Sequence, residues 1–254
     1  MRRLLILASA LLALVAFPLR THAYGVNLAW NDCGTFGSCN QSFACDTNGP
    51  DQFHLVGSFV PPEGVTAFVG EEIVLDFIAN GGQIPDWWQF KNAGTCRTTA
   101  ALGSVDFVEG PYHCADYWQG QGVGGIGSWQ VGAAIYPGLT NERARMRLAF
   151  AIPTSLVTGL TAGTEYYAFK LNLSKAKTVG TGACSGCNVP VAIAFTSCRL
   201  AQPQGVGDYI LTNWQDWGFA SWQNAWYGVY DVGYSCPPVP VRNTTWGSIK
   251  SLYH

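Results

Sequence analysis

The sequence predicts an all-β protein, an antiparallel β-sandwich with long loops and disulfides. Three observations lead to this class. Short apolar or alternating runs recur along the chain, turn sequences such as PPEG, NGG and YPG separate them, and nine cysteines are present. Many short strands at such spacing are typical of sandwiches and barrels, and convincing helical periodicity is scarce.

The first 23 residues have the pattern of a secretory signal peptide. Arg2 and Arg3 precede an uncharged run from Leu4 to Leu19, and residues 21–23 end in the small residue Ala23, where we place cleavage. A retained membrane anchor is the alternative. We disfavour it because the apolar run is about 14 residues long, whereas a spanning helix needs roughly 20. The sequence therefore predicts export.

The rest of the chain divides into one domain and a tail. We assign residues 24–236 to the β-sandwich domain. Residues 237–254 begin with the extended sequence PPVPVRN and end in TTWGSIKSLYH, which either docks as an amphipathic turn or frays. The formal net charge of −2 becomes about −5 once Arg2, Arg3 and Arg20 are removed. This balance argues against nucleic acid or an anionic membrane surface as partner.

The cysteines predict a disulfide framework, because bridges persist in the oxidising compartments that exported proteins reach. Their close spacing suggests Cys33 with Cys45, Cys96 with Cys114, and Cys184 with Cys187. The remaining three then compete for one bridge: Cys39, Cys198 and Cys236. Spacing does not determine connectivity, so these pairings are a working hypothesis.

The C-x-x-C sequence from Cys184 to Cys187 has two other interpretations, a redox centre and half of a zinc site. A zinc site needs two further ligands, and no second C-x-x-C or H-x-x-x-H pair supplies them. A redox pair needs to open a helix, whereas TVGTGACSGCNVP is a glycine-rich turn. We therefore favour a disulfide that staples a loop tip, and predict no metal and no cofactor.

Seven runs predict strands, and one of them shows the two faces of a sheet clearly. RARMRLAFAI places Arg143, Arg145 and Arg147 on one face and apolar residues on the other, as expected for a strand between water and a core. The predicted strands are Leu55–Val60, Glu72–Ala79, Ser128–Tyr136, Ala144–Ile152, Tyr166–Leu173, Val189–Phe195 and Tyr209–Leu211. The glycines from 122 to 127 match G-x-G-x-x-G, but we place them in a mobile loop before a strand, which excludes a dinucleotide site.

The stretch GLTAGTEYYAFKLNL, from Gly159 to Leu173, resembles the tyrosine corner of fibronectin-III-like and immunoglobulin-like sandwiches. That resemblance implies a structural role for Tyr166, whose hydroxyl returns to the backbone a few residues upstream. It narrows the predicted class to a sandwich of this type or a jelly-roll-like one. We expect the strand that follows Tyr166 to pair with Val189–Phe195 across the Cys184–Cys187 tip.

The segments NLAWNDCG, FACDTN, LVGSFVPP, PDWWQF, GTCR, TEYYAFKL and TWGSIKSLY resemble a group of uncharacterised secreted bacterial proteins. The resemblance covers most of the chain after the predicted signal peptide. It implies export and a shared β-fold, and it supplies no activity and no functional residue.

Catalytic motifs are weak in this sequence. His113, in HCAD, has the chemistry of a metal ligand or general base, but it has no partner motif, and we interpret it as a solvated loop histidine. Paired carboxylates would suit glycoside hydrolysis. Asp86 beside Trp87 and Asp216 beside Trp217 are the acidic residues to consider, and nothing in the sequence selects a pair.

Tryptophans near polar residues favour binding over catalysis. Ring faces stack on sugars while amides and carboxylates bond hydroxyls, and five residues are the hypothetical ligand contacts: Trp87, Trp88, Trp214, Asp216 and Trp217. Core packing is the alternative for each. Gly218, Ala220 and Ser221 interrupt any single strand in the run after Thr212, so we expect two short aromatic strands or strand, loop and strand. We predict a non-enzymatic protein that is secreted, periplasmic or attached to the cell surface and that binds a glycan or surface component; the alternatives are a polysaccharide hydrolase and a structural envelope or matrix component.

Overall fold

The computed structural model describes residues 25–212 and 218–225. The predicted signal peptide (1–23) and the whole of the predicted linker and tail (237–254) lie outside these ranges, and the domain boundaries stay predictions. Four residues named above also lie outside the described ranges: Trp214, Asp216, Trp217 and Cys236.

The described residues form an all-β sandwich of two packed sheets, which confirms the predicted class. The strands are β1 Gly25–Trp30, β2 Asn40–Gln41, β3 Gln52–Val60, β4 Gly70–Ala79, β5 Ala101–Ser104, β6 Val123–Val131, β7 Arg143–Ala151, β8 Tyr166–Ser174, β9 Val191–Ala201, β10 Tyr209–Thr212 and β11 Phe219–Trp222. The smaller sheet has the strand order β1-β3-β8-β5, and the larger one has the order β2-β11-β9-β4-β7-β6, with β10 also paired to β9. All pairs are antiparallel except β2 with β11, which makes the larger sheet mixed.

Strand β7 shows how the sequence pattern determines its faces. Ala144, Met146 and Leu148 are buried in the core, whereas Arg145 and Arg147 lie on the opposite face. Because side chains alternate at period two, a single strand separates core from solvent in this way. The predicted alternation is confirmed.

Two expectations about strands are wrong. The glycine-rich segment is part of β6, not a mobile loop, because Gly124 and Gly125 take extended conformations with positive φ (152° and 159°) and pair with β7. A Cβ at Gly124 would collide with the carbonyl oxygen of Ala149, so the close strand pairing requires glycine. The strand β8 pairs with β3 and β5 and not with β9.

Strands β8 and β9 instead face each other across the core. Phe169 of β8 and Phe195 of β9 meet edge to face with ring centroids 5.4 Å apart. The ring of Phe169 also fills the space beside Gly57, its partner residue in β3, where any Cβ would overlap it. Glycine at position 57 therefore allows a large aromatic ring to lie between the sheets.

The Tyr166 hydroxyl lies where the resemblance to the tyrosine corner implies. It accepts a hydrogen bond of 3.0 Å from the backbone N–H of Thr161, five residues upstream. Its ring stacks on Phe59 of the neighbouring strand. The turn that leads into β8 is thereby held against the small sheet.

All three predicted disulfide pairings are wrong. The structure contains Cys33–Cys114, Cys45–Cys187 and Cys96–Cys184, which span 81, 142 and 88 residues. Cys39 is also disulfide-bonded, and Cys198, a candidate for a bridge, is a buried free thiol. Cys184 and Cys187 diverge because each reaches a different loop, so the C-x-x-C tip joins two distant segments and is neither a local staple nor a redox pair.

A carboxyl group is buried beside that free thiol. Glu71 of β4 points into the core with Ile73, and Cys198 of β9 donates its S–H to Glu71 Oε2 at 3.6 Å. The other carboxyl oxygen, Oε1, has no hydrogen-bond partner among the described residues. Burial raises the pKa of Glu71 to about 8, so the core holds a neutral carboxylic acid at pH 7.

Candidate functional site

The tryptophans that the sequence offered as a sugar platform lie inside the fold. Trp87 and Trp88 have no exposed surface, and the ligand-binding interpretation is wrong for both. They lie in a short 3-10 helix, Asp86–Trp88, whose indoles face the core. Trp87 stacks on Trp222 at 5.0 Å, and Arg97 places its guanidinium carbon 3.7 Å from the Trp87 ring centroid.

Trp222 occupies the centre of this aromatic cluster. Within residues 25–212 and 218–225, five rings contact it, those of Trp30, Phe43, Phe53, Trp87 and Trp88. Its indole N–H donates to the carbonyl oxygen of Cys187 at 2.6 Å. Trp222, which belongs to the aromatic run between Thr212 and Asp231, therefore packs in the core. The expected interruption at Ala220 and Ser221 is wrong, because both residues lie within β11 and pair with β9.

Exposed aromatic surface occurs elsewhere, on two loops that cover the outer face of the small sheet. Phe36 is 61% exposed and Tyr112 is 76% exposed. Val108, which precedes Tyr112 in the same loop, is also exposed. The Cys33–Cys114 disulfide joins the loop that carries Phe36 to the loop that carries Tyr112. We call Phe36, Val108, Tyr112 and His113 the aromatic patch.

His113 is held in one orientation at the centre of this patch. Its ring lies parallel to Phe36, with centroids 4.0 Å apart and planes at 13°. Its Nδ1 contacts Oδ2 of Asp32 at short range. Because a carboxylate only accepts hydrogen bonds, Nδ1 carries the proton. The side chain is 53% exposed, and its Nε2 has no hydrogen-bond partner among the described residues.

Asp32 is fixed in turn by two further donors. The backbone N–H of Cys33 donates to Oδ1 at 2.7 Å, and the Tyr167 hydroxyl donates to the same oxygen at 3.1 Å. The Tyr167 oxygen accepts the backbone N–H groups of His113 (3.0 Å) and Cys114 (3.2 Å). This hydrogen-bond network connects strand β8 to both loops, so the imidazole of His113 is held in a fixed position.

Burial, assisted by the negative charge of Asp32, raises the pKa of Tyr167 to about 12. The phenol therefore remains a hydrogen-bond donor to Asp32 over the whole neutral range. The phenol and the other two donors to Asp32 hold the carboxylate in place, and the carboxylate in turn orients the His113 ring.

A second carboxylate lies on the same face of the small sheet. Glu165 accepts hydrogen bonds of 2.7 Å from Asn27 and from Ser58. Gly34, at a φ of +50°, lies so close that a Cβ there would stand 2.9 Å from both carboxylate oxygens. The glycine thus allows the loop that carries Asp32 and Phe36 to lie directly on Glu165.

No partner for His113 was expected from the sequence. The structure places it in a loop with half of its side chain in solvent, as expected, and adds Asp32 as a partner. His113 and Asp32 are 81 residues apart, yet each immediately precedes a cysteine of the same disulfide. A correct pairing of Cys33 with Cys114 would have brought the two side chains together. Because Cys33 and Cys114 were each paired with a nearby cysteine, His113 and Asp32 were not expected to meet.

The arrangement has the chemistry of an oriented imidazole on an aromatic surface. In the described part of the chain, no group of three or more His, Cys, Asp or Glu side chains could hold a metal ion. Nor is any helix within residues 25–212 and 218–225 long and apolar enough to cross a membrane. No protein-family model matches the sequence, and no curated protein matches it either.

Proposed function

We propose that the protein is an extracellular or cell-surface binding protein and that the aromatic patch is its ligand surface, with carbohydrate as the ligand class. The stack of Phe36 on His113 carries this proposal. Phe36 is largely exposed, and its partner ring is immobilised through Asp32. A large apolar ring held in solvent by a polar network has no role in the core.

Carbohydrate suits this surface because sugars present C–H faces and hydroxyl groups together. Aromatic rings pack on the former, and a few fixed polar groups bond the latter. Here the polar group is Nε2 of His113, which has no hydrogen-bond partner in the described part of the chain. Tyr112 adds an exposed ring whose hydroxyl donates to the carbonyl oxygen of Val108 at 3.4 Å. Rigid aromatic side chains lose little conformational entropy on binding, which favours recognition by a small exposed patch.

Three long-range disulfides support export, since such bridges persist in oxidising compartments. The bridge nearest the patch also constrains it directly. Cys33 and Cys114 adjoin Asp32 and His113, so the disulfide fixes the separation of the two loops.

One observation favours a second function, the hydrolysis of a polysaccharide or its substituents. A histidine whose Nδ1 donates to a buried carboxylate and whose Nε2 faces solvent has the arrangement of a general base. In this scheme Nε2 of His113 takes a proton from the water that attacks an acyl ester of the sugar, and Asp32 stabilises the imidazolium. The imidazolium then returns the proton to the sugar oxygen as the C–O ester bond breaks. Release of reducing ends or of acyl groups by the wild-type protein, lost in His113→Ala, would favour hydrolysis over binding.

The test of the binding proposal is a glycan array followed by titration calorimetry on the oligosaccharides that bind. We expect Phe36→Ala to weaken binding at least tenfold. Tyr136→Ala is the matched control, because Tyr136 is 56% exposed and lies outside the aromatic patch. Equal affinities for the Phe36 variant and wild type, or no bound glycan at all, would reject the proposal.

A further inference from the structure

Acidic residues outnumber basic ones around the aromatic patch. Residues 25–90 contain no Lys or Arg and eight acidic residues, and residues 98–142 contain no Lys or Arg and four acidic residues. These two stretches supply both loops of the patch. Three of these acidic residues lie elsewhere, on β4: Glu71 is a neutral acid in the core, and Glu72 and Asp76 pair with arginines of the larger sheet. The exposed carboxylates of the patch loops give that surface a negative potential.

Two of these carboxylates flank the patch directly. Asp106 and Glu109 are exposed and lie in the same loop as Val108 and Tyr112. Neither has an ion-pair partner among the described residues. Asp32 and Glu165 lie beneath the loops and add negative charge from below.

One cation is near this loop in the described structure. Lys170 donates to the carbonyl oxygen of Gly110 at 3.5 Å and lies 5.5 Å from the Phe107 ring centroid. Asp106, Glu109 and Glu165 have no ion pair among the described residues, so Lys170 offsets the negative charge of this surface only in part.

Four of the nine described basic residues lie on strands of the larger sheet, and acidic partners meet two of these four. Arg145 of β7 forms a two-bond ion pair with Asp76 at 2.7 and 2.8 Å. Arg199 of β9 lies between Glu72 and Asp208. The charges of the large sheet are thus partly compensated, whereas Asp106 and Glu109 beside the patch have no ion pair.

We propose that the ligand is a glycan that carries cationic amino groups, a polymer of amino sugars with free amines. This inference rests on the proposed function and adds the class of sugar. A hexosamine presents a C–H face to Phe36 and an ammonium group to the flanking carboxylates, so it uses both features of the surface. Uronic-acid and sulfated glycans are disfavoured by like-charge repulsion, and neutral glycans use only the aromatic rings.

The test compares three oligosaccharides of equal length by titration calorimetry: glucosamine, N-acetylglucosamine and glucose hexamers. We expect the glucosamine hexamer to bind at least tenfold more tightly than the other two and its affinity to fall as salt is raised, since salt screens exposed charges. Equal affinity for all three overturns this inference and leaves the proposed function standing. Binding of none of them, together with an empty glycan array, rejects both.

Variants of Asp106 and Glu109 test whether these two carboxylates cause the preference for the glucosamine hexamer. The double variant Asp106→Asn, Glu109→Gln removes both charges, and asparagine retains an oxygen that can accept the Val108 N–H, as Asp106 does now at 3.1 Å. We expect a loss of about two- to fivefold in affinity for each carboxylate removed. Glu63→Gln is the control, because Glu63 is exposed in another loop. An equal loss in this control would show that net charge alone attracts the ligand, and would overturn the inference.

Discussion

Glu71→Gln tests whether the buried carboxyl makes the protein less stable as the pH rises. Burial raises the pKa of Glu71 from 4.5 to about 8 in the folded protein. Between these values the folded state keeps a proton that the unfolded state has lost. Stability from this residue is therefore fully present below pH 4.5 and is lost as the pH rises to about 8.

The magnitude follows from the width of that window. Each pH unit above the unfolded pKa costs about 1.4 kcal/mol, and pH 7 lies two and a half units above 4.5, so the cost at pH 7 is about 3 kcal/mol. Glutamine has nearly the same shape and no charge to lose. It brings one additional buried N–H donor, for which we allow about 1 kcal/mol.

The assay is urea unfolding with intact disulfides, followed by tryptophan fluorescence across the window from pH 4.5 to 8. We expect the free energy of unfolding of the wild type to fall relative to that of the glutamine variant by about 1.4 kcal/mol per pH unit. Glu72→Gln is the matched control, since Glu72 is the next residue but lies exposed on the opposite face of β4. Parallel pH profiles for wild type and Glu71→Gln would refute the reasoning.

Three further outcomes follow from the core and the site. Cys198 is a buried thiol whose pKa burial raises, so mass spectrometry should find it alkylated by iodoacetamide only after unfolding; rapid labelling of the native protein would contradict its burial. Tyr167→Phe should lower the free energy of unfolding by about 1–3 kcal/mol because it leaves Asp32 and two backbone N–H groups short of a partner, whereas the exposed control Tyr112→Phe should change it by less than about 0.5 kcal/mol in the same urea titration. Trp222→Ala removes the ring that five others contact and should cost about 3–5 kcal/mol by the same measurement; a loss below about 1 kcal/mol would place Trp222 outside the core.

Local patterns in the sequence predicted the strands well. The alternation in RARMRLAFAI identified both faces of β7, and most other predicted strands lie within observed ones. Strand period is a property of a few neighbouring residues, so it can be read without knowing the rest of the fold. The glycine-rich start of β6 was missed because glycine signals a loop unless a neighbouring strand requires close approach.

Disulfides and strand partners could not be predicted in the same way. Cys45 and Cys187 are 142 residues apart in sequence and bonded in space. Short spacing favours local bridges, and it cannot show that Cys184 and Cys187 point to two different loops. The pairing of β8 was wrong for a related reason, since consecutive strands can lie in opposite sheets of a sandwich.

The sequence by itself determined the fold class, because periodicity, turn residues and apolar content are local and additive. It also indicated where aromatic residues are abundant. Only the tertiary structure decided which of them reach solvent: Trp87, Trp88 and Trp222 fill the core, while Phe36 and Tyr112 remain exposed. The burial of these tryptophans and the contact of Asp32 with His113 depend on contacts between segments that are distant in sequence. A local sequence pattern does not determine which distant segments meet.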